Sequence, residues 1–299
     1  MASSTTAPSS VQQYTRATRH FASTRATEVL ALQASPILGC ALGGFSLERD
    51  GALRVVLLLL GSLALTAHVF VFNDWAGHGS DADDPQRAAV IHARRDVSRQ
   101  QILHLALALL LVAIVALAVA GPAAILFGAA IAVLSLLYSC SPALGKRTPI
   151  VASFNHLLGG AAHFLLGYTA FHTPDTRGLA TSLFFGLVFA GGHLNQEVRD
   201  HEGDRLSGIR TAAVAFGPRA TFLASLATFT GAYALIATLA TLGLLPSLLL
   251  WTTLLLWPIH LIFTLQALHR GLSYETARWM QRRYRLLFAA VGVAMLTSR

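Results

Sequence analysis

Nine runs of mostly apolar residues dominate this sequence, and each reaches or approaches the length needed to cross a bilayer. A spanning helix takes about 20 such residues. The runs cover 28–47, 51–72, 100–120, 122–139, 149–171, 179–197, 219–242, 246–268 and 284–296. Pro36 and several glycines interrupt the first, and the last is short. Only Gly121-Pro122 separates the third from the fourth, which reads as a helical hairpin with almost no loop. The expected fold is therefore all-α: a polytopic membrane protein, a bundle of about nine transmembrane helices. Charged residues make up 12% of the chain, against roughly 25% in a soluble domain. One bundle can use the whole length, as a single domain over 27–299. The opening stretch, 1–26, is rich in Ser, Thr and Ala and has no apolar signal-peptide core, so a flexible cytoplasmic tail is expected.

The charge is lopsided. Net charge is +8, carried almost wholly by arginine, with Lys146 the only lysine. No basic stripe with interleaved aromatics lies outside the loops, so no nucleic-acid partner is expected. Basic residues in a membrane protein mark cytoplasmic loops. With the N-terminus inside, eighteen of the 22 Lys and Arg fall on the inner side, and only Arg49, Arg54, Arg177 and Arg299 fall outside. That split supports nine spans, an integral membrane location, and a cytoplasmic N-terminus. Cys40 and Cys140 sit in or beside apolar runs, where they read as packing residues with no disulfide framework and no zinc spacing.

Against this apolar background, two acidic patches stand at the ends of two runs. Asn73 and Asp74 close the second run, and Asp81, Asp83 and Asp84 follow. The sixth run ends in Asn195-Gln-Glu197-Val-Arg199-Asp200-His-Glu-Gly-Asp204-Arg205. Glu197, Asp200 and Asp204 stand at i, i+3 and i+7, on one face of a helix. Three acids on one face repel each other unless a cation lies between them. Mg²⁺ takes oxygen ligands and commonly bridges carboxylates to substrate phosphates. Both patches fall on the same cytoplasmic side by the charge count. Together they read as a metal–diphosphate site at a membrane face, with Asn73, Asp74, Asp81, Glu197, Asp200 and Asp204 as candidate metal ligands.

Basic and polar residues gather nearby. Tyr138-Ser139-x-x-Pro142-x-x-x-Lys146-Arg147 ends the fourth run. Lys146 and Arg147 can hold diphosphate oxygens by charge-assisted hydrogen bonds, or anchor the helix at the interface beside Tyr138. Arg94 has the same two readings. Asn155 and His156 in the fifth run, and His193 and Asn195 in the sixth, are polar groups that belong inside the bundle. They serve either substrate or interhelical hydrogen bonds. No Walker loop, dinucleotide-binding glycine pattern or hydrolase triad order is present.

These residues resemble the UbiA superfamily of intramembrane prenyltransferases. That family has nine helices and two Asp-rich motifs, NDxxDxxxD after the second helix and DxxxD after the sixth. Asn73, Asp74 and Asp81 match the first, and Asp200 and Asp204 match the second. The run from Asp200 to Thr211 is similar to the family's second motif with its trailing Gly and Thr. Tyr138, Pro142 and Lys146-Arg147 are similar to its segment after the fourth helix. One position departs: Gly77 stands where the first motif has its middle Asp. The resemblance implies Mg²⁺ held by Asp74, Asp81, Asp200 and Asp204, with a prenyl diphosphate bound through the metal. It implies catalytic roles for Asp74, Asp200 and Asp204. It also implies substrate contacts at Arg94, Tyr138, Lys146, Arg147, Asn155 and Asn195, and a small lipophilic, commonly aromatic, acceptor drawn from the membrane lipid phase. The acceptor, the prenyl chain length and the oligomeric state are not specified by it. A terpene cyclase of the same fold, favoured by Gly77, and a non-catalytic transporter or scaffold are the other readings.

Overall fold

The computed structural model describes residues 10–45, 48–78 and 97–297. Those residues form helices joined by short turns, with no strand among them. In chain order the helices are α1 (Ser10–Leu32), α2 (Ala34–Leu42), α3 (Arg49–Ala76), α4 (Arg99–Ala120), α5 (Pro122–Cys140) and α6 (Val151–Tyr168). They continue as α7 (Thr176–Leu206), α8 (Ala212–Phe216), α9 (Pro218–Thr241), α10 (Leu248–Arg270) and α11 (Tyr274–Thr297). Six of them (α3, α4, α5, α7, α9 and α10) are long and apolar enough to cross a membrane by length and composition.

Burial follows the demands of two solvents. Leu58, Leu65, Leu117 and Leu166 pack into one core formed by α3, α4 and α6. A larger core joins α2, α6, α7, α9, α10 and α11 around Phe164, Tyr168, Phe185, Tyr233, Ile236 and Leu249. The outer faces are apolar too: Leu111 and Val119 on α4 and Trp251 and Leu255 on α10 are each more than 60% exposed. Whole helix faces of this kind suit lipid and would drive a water-soluble protein to aggregate.

Helices α2 and α6 approach more closely than ordinary side chains allow. A Cβ on Gly39 would lie 2.3 Å from the carbonyl oxygen of Phe164, and one on Gly167 would lie 2.1 Å from that of Pro36. Gly39 on α2 and Gly43, which caps it, form a small-xxx-small pair, the pattern that lets membrane helices touch backbone to backbone. The glycines that interrupt the first apolar run thus define a packing face.

The start of the chain differs from expectation. A flexible tail is expected over 1–26, yet from Ser10 onward this stretch is helix, continuous with the first apolar run to Leu32. Residues 1–9 lie outside the described residues. Arg25 explains part of this order: it pairs with Glu28 at 3.2 Å and reaches Asp74 at 3.5 Å. The run at 28–47 is in turn split between α1 and α2 at Gln33. Pro36 lacks the amide that would bond back to Leu32, so the ladder breaks there. Gln33 is buried and uses its side chain instead, donating to Val29 and Thr66 and accepting from Ser62.

The last helix is longer than its apolar run. α11 begins at Tyr274, where the Ser273 hydroxyl accepts from the Thr276 amide. Its first half carries Arg278, Arg282, Arg283 and Arg285 but buries Ala277, Met280, Gln281 and Tyr284 on the other side. Cys40 is buried as expected, whereas Cys140 is exposed at the end of α5.

Replacing Gly39 with leucine should force α2 from α6. The melting temperature of the purified protein in detergent should drop by several degrees, the response expected of about 1–3 kcal/mol of overpacking. Gly159, where a Cβ would meet nothing within 4 Å, should accept alanine with no loss, since helix interiors favour alanine over glycine.

Candidate active site

Three helix ends converge on one cleft. It is lined by Asn73 from α3, Tyr138 from α5 and Lys146 from the loop that follows. His193, Gln196, Glu197, Asp200 and Asp204 come from α7, and Ile209 and Thr211 from the turn after it. Asn73, near the end of α3, and the acids of α7, more than a hundred residues apart in sequence, therefore line one cleft. The free volume is about 80 Å³, room for an ion and its waters, with a water occupying about 30 Å³.

Local folding places each wall. After α7 the chain reverses at Gly208, which has φ +65°, a conformation that strains any residue with a Cβ. The Ile209 amide bonds back to the carbonyl of Asp204 at 2.8 Å. The returning strand of chain is then fixed by Glu197, whose carboxylate accepts from the Ala212 amide at 2.9 Å. Glu197 is 5% exposed and sits at the N-terminus of α8, where the free amides favour a negative charge. The loop after α5 is wound just as tightly. A Cβ on Gly145 would lie 2.3 Å from the Ser141 carbonyl, and the Lys146 amide donates to the carbonyl of Tyr138 at 2.9 Å.

Behind the acids lies a wall of rings. The imidazoles of His156 and His193 stack with centroids 3.8 Å apart, and Tyr138 meets His156 edge-on at 4.9 Å. The Tyr138 hydroxyl is 3.3 Å from Nε2 of His193, and the Ser153 hydroxyl is 3.4 Å from its Nδ1. His193 Nε2 also stands 3.6 Å from Glu197.

The sequence-derived site residues divide into groups. Asn73, Tyr138, Lys146, Glu197, Asp200 and Asp204 line the cleft together. Asp74 is not among the lining residues, and its carboxylate lies 3.5 Å from Arg25. Asn195 is buried beside α11 and donates to the Ala277 carbonyl. Asn155 donates to the Leu134 carbonyl, which ties α6 to α5. Arg147 is exposed outside the lining. Asp81 and Arg94 lie outside the described residues, as do Asp83 and Asp84. The sequence marks His156 and His193 as interior polar groups with either a substrate or a packing role, and it gives no signal for Gln196. His193 also stands one helical turn before Glu197.

The cleft suits a hard cation in kind. Its donors are amide and carboxylate oxygens, the ligands that Mg²⁺ prefers. The side-chain oxygens of Asn73 and Thr211 are buried in it with no hydrogen-bond partner. Such groups are expensive to bury unpaired. Asp200 is already engaged: Arg199 grips it through two 2.7 Å bonds and continues to Gln281 on α11 at 3.0 Å. Among the described residues no three His, Cys, Asp or Glu side chains come close enough to hold a metal by themselves.

A model of the UbiA prenyltransferase family matches residues 37–291, and the chain belongs to that family. No curated protein sequence matches it. Among solved structures it is similar to a UbiA homologue from Archaeoglobus fulgidus bound to GPP and Mg²⁺. The TM-score is 0.69 at 18% identity, covering 95% of this chain and 99% of that one. It is equally similar to an apo UbiA homologue from Aeropyrum pernix K1, with TM-score 0.69 and 18% identity over 90% of this chain and 98% of that one. A digeranylgeranylglyceryl phosphate synthase structure matches with TM-score 0.67 and 18% identity over 96% and 98% of the two chains. At such identity the likeness establishes the fold. The protein is thus an integral membrane protein built as UbiA-family prenyltransferases are.

Glu197→Ala should lower the melting temperature of the ligand-free protein, because it leaves the Ala212 amide buried without an acceptor, a loss of about 1–3 kcal/mol. Asp204→Asn, at the half-exposed rim, should melt like the parent. The pair measured side by side separates the acid that builds the cleft from one that only lines it.

Proposed function

We propose that the protein transfers a prenyl group from a prenyl diphosphate to a lipophilic acceptor, most fittingly an aromatic ring, with the diphosphate bound in the acidic cleft. The observation that carries this reading is the meeting of Asn73 on α3 with Glu197, Asp200 and Asp204 on α7, with Lys146 in the same lining. Acids and a lysine lining one oxygen-rich cleft suit an anion bound through a cation. The homologues solved with GPP and Mg²⁺ and with DMAPP and Mg²⁺ support the substrate class. The eighteen basic residues on one side support nine spans with the N-terminus and the cleft facing the cytoplasm. A transporter would call for ionisable groups in mid-span, whereas these acids stand at helix ends.

In this reading Asn73, Asp200 and Asp204, joined by Asp74 and Asp81 of the first motif, would hold Mg²⁺. The metal supplies Lewis-acid neutralisation of the diphosphate's charge. Glu197 supports the turn that shapes the cleft and faces the same ions. Lys146 donates charge-assisted hydrogen bonds to the diphosphate oxygens, with Arg147 and Arg94 as outer contacts. The carbon–oxygen bond breaks with its electron pair leaving on the diphosphate, where these cationic groups oppose the charge as it develops. The allylic cation left behind lies beside the ring of Tyr138, whose face favours positive charge. An electron-rich acceptor carbon then donates its π electrons to form the new carbon–carbon bond, and loss of the ring proton to water restores aromaticity. Asn155 and Asn195 hold α6 and α11 against this centre. The present cleft must widen to admit a diphosphate, and the grip of Arg199 on Asp200 is one contact that metal binding would loosen.

One feature favours a second reading. Gly77 caps α3 where the family's first motif carries an acid, and a changed first motif is compatible with cyclisation of the prenyl diphosphate itself. Incubating membranes with geranyl, farnesyl and geranylgeranyl diphosphates, with and without aromatic acceptors, separates the two. Diphosphate release that requires an acceptor supports transfer, and cyclic hydrocarbon formed without acceptor supports the cyclase. Asp200→Asn and Asp204→Asn should each slow Mg²⁺-dependent turnover by about 10²–10⁴-fold, on the yardstick of losing one catalytic side chain. The double substitution should be little worse than either, since groups that act as one unit are not additive. Near-normal turnover in Asp200→Asn would overturn the reading.

A further inference from the structure

A second cleft, of about 310 Å³, opens where α10 ends and α11 begins. It is lined by Arg270, Glu275, Thr276, Arg278, Trp279 and Arg282. Trp279 carries two guanidinium groups on its ring, that of Arg283 at 3.7 Å from the centroid and that of Arg270 at 4.6 Å. Arg283 also lies over Phe263 at 5.4 Å. Arg278 and Arg282, one turn apart on α11, are exposed at the rim.

These arginines differ from their neighbours in what balances them. Arg199 pairs with Asp200, Arg205 with Glu202, Arg25 and Arg285 with Glu28. Among the described residues, no carboxylate lies within 4.0 Å of Arg270, Arg278, Arg282 or Arg283. Glu275 lines the cleft but pairs with none of them. Four guanidiniums against one acid repel each other, and two of them are fixed in place by stacking on Trp279. Arg270, held on the Trp279 ring and without an acid partner, presents a planar fork that matches the bidentate geometry of a phosphate.

The surroundings indicate the source of that phosphate. Ile262 and Leu265 on α10 are 52% and 56% exposed, and Leu286 on α11 is 70% exposed. Ile262 and Leu265 precede Arg270 by about 12 and 8 Å along the helix, at 1.5 Å per residue. Acyl chains therefore have exposed apolar side chains on both helices within about two turns of the charges. Trp279 is half-buried beside them, an aromatic at the level expected of a membrane–water interface. The face is separate from the acidic cleft. Ala277 and Gln281 of α11 bond to Asn195 and Arg199 of α7, whereas Arg278 and Arg282, each one residue further on, turn about 100° away from that contact.

We propose that this cleft binds the phosphate of an anionic phospholipid, with Arg270, Arg278 and Arg282 as its ligands and the Trp279 ring as its wall. The proposal does not depend on the reaction assigned to the acidic cleft. It also goes beyond topology. Orientation of the chain needs only positive charge, which lysine supplies as well, whereas a phosphate site needs the planar fork of arginine.

The test uses the full chain, purified and delipidated in detergent, and reads bound lipid by native mass spectrometry during titration with phosphatidylglycerol, phosphatidylcholine or inorganic phosphate. The expected result is one phosphatidylglycerol retained at least tenfold more tightly than phosphatidylcholine. Arg278→Gln/Arg282→Gln should weaken it at least tenfold at unchanged melting temperature. Arg278→Lys/Arg282→Lys, which keeps charge and serves if the glutamine variant fails to fold, should weaken it severalfold. Equal retention of the two lipids, or parental binding in the lysine variant, would overturn the proposal. Displacement of the lipid by an equal concentration of inorganic phosphate would overturn the lipid assignment in favour of a free anion.

Discussion

The candidate site depends on one buried hydrogen bond, from the Ala212 amide to Glu197. Gly208 and the Ile209–Asp204 bond turn the chain, and the Glu197 bond fixes it against the helix it has just left. With it, the reversal at Gly208 brings Ile209 and Thr211 back as a wall facing Asp200 and Asp204. A carboxylate in a nearly dry place needs a partner for its charge. Glu197 has that partner in the Ala212 amide at the start of α8. The acid therefore does structural work before any substrate arrives, and this separates it from Asp204.

The remaining acids are held in readiness by arginines. Asp200 is gripped by Arg199 and Asp74 is approached by Arg25. These contacts neutralise charge that would otherwise be costly to assemble at a membrane face. They are also contacts that a divalent cation can replace without leaving the carboxylate unpaired. Arg199 passes the constraint onward through Gln281, so the first turns of α11 are coupled to the geometry of the second acidic motif.

Much of the bundle is legible in the sequence because lipid imposes a simple pattern. The apolar runs at 51–72, 100–120, 122–139, 219–242 and 246–268 each form one helix with ends displaced by a few residues, and that at 179–197 continues nine residues further, to Leu206. What the runs do not show is structure resting on other physics. The break at Gln33 comes from Pro36 and a buried amide side chain. The charged first half of α11 escapes because its helix is amphipathic rather than uniformly apolar, burying Ala277, Met280 and Tyr284 while showing its arginines. In the site, the spacing of Glu197, Asp200 and Asp204 on one face is readable, and so is the pairing of the second patch with Asn73. The stack of His156 on His193 is not, because it joins two helices at a register that only packing sets. Asn155, adjacent to His156, illustrates the limit: one residue of difference turns a side chain from the ring wall to the Leu134 carbonyl.

The central claim is that the ends of α3 and α7 form one site for a diphosphate bound through a divalent cation. It is tested most directly by binding without turnover, using purified protein and the non-hydrolysable analogue geranyl thiolodiphosphate. With Mg²⁺ present the analogue should raise the melting temperature, since a ligand at a hundred times its Kd adds about 2.7 kcal/mol to the folded state. Without Mg²⁺, or in Asp204→Asn, the shift should vanish. An equal shift with and without metal, or none under any condition, would contradict the account.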